Sequence, residues 1–162
     1  MTARINLRPA GFVSRAIAFI IDLVILNLTG ALIISLTSLI SDFFHLDIFI
    51  RRVSQDFPAL TNVITVVIVL ASFILLAGYF MVFWTVIGST PGKLFMGLRV
   101  VRQNDLRMTF GKALLRFAGY WISALPLFIG FLWVLVDGRR QGWHDKLADT
   151  QVIYYWERFR KR

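Results

Sequence analysis

A chain of 162 residues that is 57% hydrophobic and only 17% charged is too apolar for a soluble domain, and its mean hydropathy of +0.69 comes from long uninterrupted apolar runs. The absence of cysteine excludes a disulfide framework, a thiolate nucleophile and a cysteine-ligated metal. A formal charge of +9 would suggest nucleic acid in a soluble protein, but here the Lys and Arg residues flank apolar spans, where they set orientation and meet anionic headgroups.

Arg4 and Arg8 precede the first apolar run, and Pro9 and Gly11 argue against a continuous helix up to that point. The run itself, about residues 15–40, begins RAIAFIIDLVILNLTG and is long enough to cross a hydrocarbon core of about 30 Å. It is too long for a signal peptide, lacks a convincing cleavage site and holds Asp22, so it reads as a signal anchor. A carboxylate inside a span costs about 2.5–3.5 kcal/mol and must face protein or water. Arg15, Asp22 and Thr29 are spaced by sevens on one helix face, about 10.5 Å apart per step. Arg15 and Asp22 are therefore too far apart to pair directly, and each needs a partner on another segment.

The linker from Ser41 to Asn62 sets Asp42, Asp47 and Asp56 against Arg51 and Arg52, with enough apolar residues to lie at the membrane interface. Its charge balance marks the outer face. The second span, about residues 62–87, carries a weakly polar stripe of Thr65, Ser72 and Tyr79, with Ala71 and Gly78 beside it. Helix packing or a solvated pathway would account for that stripe.

Residues 88–112 form a basic loop, cytoplasmic by the positive-inside rule. Its GSTPGK is one residue short of a phosphate loop, and Leu94 follows Lys93, so Pro91-Gly92 reads as a stop signal. LRVVRQNDLRMTF suggests two short strands turning at Asn104-Asp105. A third apolar stretch, about residues 113–136, contains Arg116 and a central Pro126. It either spans with a kink or dips in and returns, and a re-entrant backbone needs protein or water around it. The tail, residues 138–162, is basic, which favours the re-entrant form because three full spans would put it outside. GKLFMGLRVV and HDKLADTQVIYY share a basic turn followed by a β-branched strand, and the two strands could pair if both lie on one side. Tyr154, Tyr155 and Trp156 before RFRKR suggest a tail resting on headgroups.

The fold class is thus an all-α membrane protein, with two full transmembrane helices, a third Pro-broken apolar segment and a small cytoplasmic β-hairpin element. SRAIAFIID, TPGKLFMGLRVV and LWVLVDGRRQGWHDKLADTQVI, in that order from Gly11 to Ile153, resemble the RDD family of small membrane proteins, named for an arginine and two aspartates. The resemblance assigns Arg15 and Asp22 to the arginine and first aspartate, and Asp137 to the second, with Asp145 of WHDKLADT as its rival. It also implies an association with transport, including sodium–proton exchange, or with accessory and quality-control roles.

Three readings of Arg15, Asp22 and Asp137 follow. A structural charge cluster would fix helix register in a scaffold or accessory protein, with Thr29 as a further candidate. Alternatively, Asp22 is a titrating ion or proton site for which Arg15 competes. In the third, Arg99, Arg102, Arg139 and Arg140 bind anionic lipid headgroups or a partner's membrane segment, a second copy of the chain or another membrane protein. His45 and His144 have no recognisable nucleophile or third ligand nearby, so no enzyme activity, metal site, cofactor or nucleic-acid partner is expected. The expected location is the bacterial inner membrane, with several passes and both termini inside.

Overall fold

In lipid only a helix satisfies its own backbone, and the apolar runs obey that constraint. The computed structural model describes residues 8–102 and 108–155. Helix α1 covers Phe12–Phe43 and α2 covers Leu46–Asp56. Helix α3, Pro58–Val82, starts on a proline, whose missing N–H has no partner to lose in a first turn, and runs into a π-helical turn at Phe83–Ile87. Phe12–Phe43 and Pro58–Ile87 are both long and apolar enough to cross a membrane, holding 18-residue stretches of mean hydropathy 2.5 and 2.7 respectively. Then come α4 (Pro91–Phe95), β1 (Leu98–Arg102), α5 (Phe110–Ala124), α6 (Ile129–Leu132), a single 3-10 turn at Trp133–Leu135, α7 (Trp143–Ala148) and β2 (Thr150–Tyr154).

The chain divides into two compact units. The smaller, Leu23–Leu76, holds α2 and the adjoining lengths of α1 and α3. Here Thr29, Thr37, Thr65 and Ser72 each donate a hydroxyl to the carbonyl four residues back in their own helix. Polar groups satisfied in this way can face hydrocarbon, so Thr65 and Ser72 need neither a neighbouring helix nor water.

The larger unit comprises the described residues up to Asp22 and from Ala77 onward. Strands β1 and β2 form an antiparallel pair with Val100 opposite Val152, burying Leu98, Val100, Val152 and Ile153. Pro9 bridges Ile153, and the Ala10 N–H donates to the Val152 carbonyl at 2.8 Å, so the segment before α1 lies along β2. The partner of β1 is thus the distant strand of the tail. The expected turn at Asn104-Asp105 lies outside the described residues, and Met108 and Thr109 lead straight into α5. Trp156 and the RFRKR tail also lie outside them.

The third apolar stretch breaks at Pro126. Leu127 and Phe128 adopt left-handed φ values of 51° and 63°, and the two helical arms are bent by 111°. Gly130 lets the returning arm close on α5, because a Cβ there would lie 2.5 Å from the Ser123 Cα. Helix α7 then packs on α5. Strand β1 precedes this bent pair and β2 follows it, and strands that share hydrogen bonds cannot lie on opposite sides of a bilayer. A stretch that returned to the side it left would keep both strands on one face. Gly111 and Gly138 flank it, and an added Cβ at either meets open space. Cysteines at these two positions should both react with an impermeant thiol reagent applied from one face of sealed vesicles and both resist it from the other; labelling from opposite faces would mean a full crossing.

Candidate functional site

A buried carboxylate loses its hydration and must be repaid by donors or cations. The larger unit contains two such carboxylates, Asp22 and Asp145, each with no exposed surface.

Asp22 is two turns into α1 from Arg15, and its partners come from α3, α4 and the segment joining them. The Thr90 hydroxyl donates to it at 2.5 Å, the Gly92 N–H at 2.7 Å and the Tyr79 hydroxyl at 3.4 Å. The Lys93 ammonium approaches to 3.9 Å. Thr90 is extended and Pro91 opens the helix, which leaves the Gly92 N–H free to turn toward α1. Gly92 has no alternative: a Cβ there would come within 2.1 Å of the Ala18 carbonyl and 2.9 Å of the Asp22 carboxyl carbon. The TPGK sequence is thus a carboxylate clasp as well as the end of the second span.

Asp145 lies in the first turn of α7. It ion-pairs with Arg15 at 2.5 Å through one oxygen and with Arg116 at 2.5 Å through the other. The Gly142 N–H donates to it at 3.2 Å, the reach-back half of a capping box. Arg15 also donates to the carbonyls of Ala10 and Arg140, and Arg116 donates to the Thr150 hydroxyl. One carboxylate thereby joins the start of α1, the middle of α5, α7 and the head of β2. Burial alone would raise the Asp145 carboxyl, but the guanidinium charges of Arg116 and Arg15 outweigh it and hold the group well below the usual carboxylate range. Burial pushes the adjacent His144 imidazole down to about 3 despite the pull of Asp145, so at neutral pH it is uncharged. His144 packs edge-on against Tyr120 at 4.7 Å and tilted against Phe131 at 5.0 Å. Arg116 lies 5.2 Å from the ring of the fully buried Trp84, a cation–π contact inside the same aromatic group.

The expected single cluster of Arg15, Asp22 and Asp137 does not form. Arg15 pairs with Asp145, and Asp137 turns to the Lys146 ammonium at 2.5 Å and the N–H groups of Arg139 and Gln141. The Lys146 contact, with the Gln141 N–H, keeps the Asp137 carboxyl below its ordinary value. The reason is positional. Asp137 falls in the open turn before α7, where solvent and Lys146 serve it, whereas Asp145 sits inside α7 against α5. Among the described residues Asp22 and Asp145 share no hydrogen-bond or ion-pair partner. Thr29 belongs to the smaller unit and bonds its own helix. Of the surface arginines, Arg99 lies over the Tyr155 ring, Arg139 and Arg140 are exposed, and Arg102 is part-buried. Sequence reasoning passed over Arg116, although a charge in an apolar stretch carries the same signal as Asp22. Thr90, Gly92, Lys93 and Thr150 carry no such signal, since each is ordinary in a loop.

The RDD family model matches residues 9–149. The chain is 26% identical over 159 residues to the uncharacterized protein YxaI of Bacillus subtilis (strain 168), covering 91% of this chain and 98% of that protein. It is 29% identical over 89 residues to the uncharacterized protein RP437 of Rickettsia prowazekii (strain Madrid E), covering 54% of this chain and 49% of that protein. No solved structure matches it.

The contacts set two outcomes. In a double-mutant cycle on unfolding in micelles, Arg15→Gln and Asp145→Asn should couple by about 1–3 kcal/mol, whereas Arg15→Gln and Asp137→Asn should add without coupling. Stability should also depend on pH through His144. Its unfolded imidazole takes up a proton near 6.5 while the folded one stays neutral down to about 3. Between those values the unfolded chain binds more protons, so stability falls as pH falls through that window. Thermal melts from pH 7 to 4 should show this loss, and His144→Phe should flatten it.

Proposed function

The chain belongs to the RDD family, and we propose that it acts as a membrane scaffold or accessory protein built on a fixed intramembrane charge frame. The observation that carries this reading is the saturation of Asp22. Three donors already point at its two oxygens, from Tyr79, Thr90 and Gly92, and the residue has no exposed surface. A carboxylate so enclosed holds segments together; a transport site has to meet water on one side and then the other. The candidate spans suit the same role, because only 11% of each apolar window is buried within the chain. The rest is an apolar surface for lipid, a second copy or another membrane protein. Basic loops at both ends of the bent pair favour a cytoplasmic position for the sheet, and the two relatives named above are bacterial, which supports the inner membrane.

One observation favours the exchange reading. Lys93 stands off Asp22 at 3.9 Å, so a cation and a proton could contend for that carboxylate if Thr90 and Gly92 released it. Measurement in sealed liposomes separates the two. As a scaffold, the purified protein should give no sodium-driven proton flux above empty liposomes. Asp22→Asn should cost about 3–5 kcal/mol of stability and lower abundance in the membrane, because it leaves Lys93 buried without its counter-charge. Robust flux that Asp22→Asn abolishes in a stably folded protein would establish exchange instead.

A further inference from the structure

The larger unit contains a cavity of about 470 Å³ that the charge frame does not explain. Its walls are apolar, formed by residues such as Phe19 of α1, Trp121 and Ala124 of α5, and Phe128 and Phe131 at the Pro126 turn. Three cations also line it: Arg15, Lys93 and Arg116. The volume falls within the range of about 300–1,000 Å³ typical of small-molecule sites. At about 30 Å³ per methylene-sized group it holds about 15 such groups, most of one alkyl chain.

The charges around the cavity do not balance. Asp145 offers one negative charge to the two guanidinium groups of Arg15 and Arg116. Asp22 offers one to Lys93, but at 3.9 Å and with its oxygens already taken by closer donors. His144, which also lines the cavity, is neutral. Among the described residues one positive charge is left over. The unmet donors point to the same end. The Lys93 side chain is only 4% exposed, yet among the described residues its three N–H groups have a single hydrogen bond, to Thr90 at 3.4 Å. The Arg116 Nε is buried without a hydrogen-bond partner among the described residues. Buried donors on a cation left unpaired are costly, so they mark where an acceptor belongs.

We infer that this cavity binds a single-chain amphiphile with a monoanionic head, of the fatty-acid class, its carboxylate at Lys93 and Arg116 and its chain against the aromatic wall. A neutral lipid would fill the apolar part and leave the surplus cation unmet, and the volume seats one alkyl chain within the walls. The inference goes beyond the scaffold reading and holds whether or not the protein moves ions.

The test uses the full chain in a non-ionic detergent with a fluorescent eighteen-carbon polyene fatty acid as probe. The acid should bind with one-to-one stoichiometry, and its methyl ester about tenfold more weakly, a difference of about 1.4 kcal/mol. Lys93→Met should remove the preference for the acid, Lys93→Arg should keep it, and Ala124→Trp, which fills the apolar part, should abolish binding of both. Equal affinity of wild type for acid and ester would overturn the assignment of the head. Undiminished binding to Ala124→Trp would overturn the assignment of the cavity. Tighter binding of a lysophosphatidate, or competition by inorganic phosphate alone, would replace the monoanionic carboxylate with a phosphate site. The ester comparison and Ala124→Trp decide the matter even where Lys93→Met fails to fold.

Discussion

Much of the larger unit depends on the ion pairs of one buried carboxylate. Asp145 has surrendered its hydration entirely, which would be prohibitive for an isolated charge, and it is stable only because guanidinium groups from two separate helices flank it. Arg15 comes from the start of the first span and Arg116 from the middle of α5, the first arm of the bent apolar stretch. Neither could be buried alone, so each charge is a condition for burying the others. That mutual requirement draws the N-terminal segment, α5, α7 and the head of β2 to one place. The aromatic residues Trp84, Tyr120 and Phe131 close around it and raise the cost of any rearrangement.

Asp22 applies the same logic with neutral donors. A hydroxyl and a backbone N–H from the end of the second span meet it at close range, which fastens α1 to α4 without a second strong ion pair. This clasp depends on the absence of a side chain at Gly92, since the backbones of α1 and α4 approach too closely for a Cβ. The two centres together hold the start of the first span, the bent stretch and the sheet in one compact body, while Thr29, Thr37, Thr65 and Ser72 of the smaller unit bond within their own helices. The cavity lies where this body brings three cations beside an apolar wall, and the surplus cation gives it a chemical preference that an apolar slot would lack.

The spans, the break and the need for partners were legible in the sequence, because each follows from local chemistry. Runs of apolar residues longer than about 20 have one stable form in lipid. Pro126 cannot continue a helix through its own nitrogen. Asp22 within such a run had to be satisfied by another segment. Which groups met was decided only by the tertiary structure. Asp137 and Asp145 are eight residues apart on either side of a tight turn, and no property of either residue alone says which one faces Arg15. The choice came from the packing of α7 on α5, which buried one carboxylate against Arg116 and left the other to Lys146. In the same way β1 could have folded back on its neighbours, but the bent stretch brought β2 alongside it, and Pro9 to the far side of β2. Pairings between residues more than a hundred positions apart, such as Arg15 with Asp145, depend on where whole elements come to rest, and hydropathy and spacing carry no record of that.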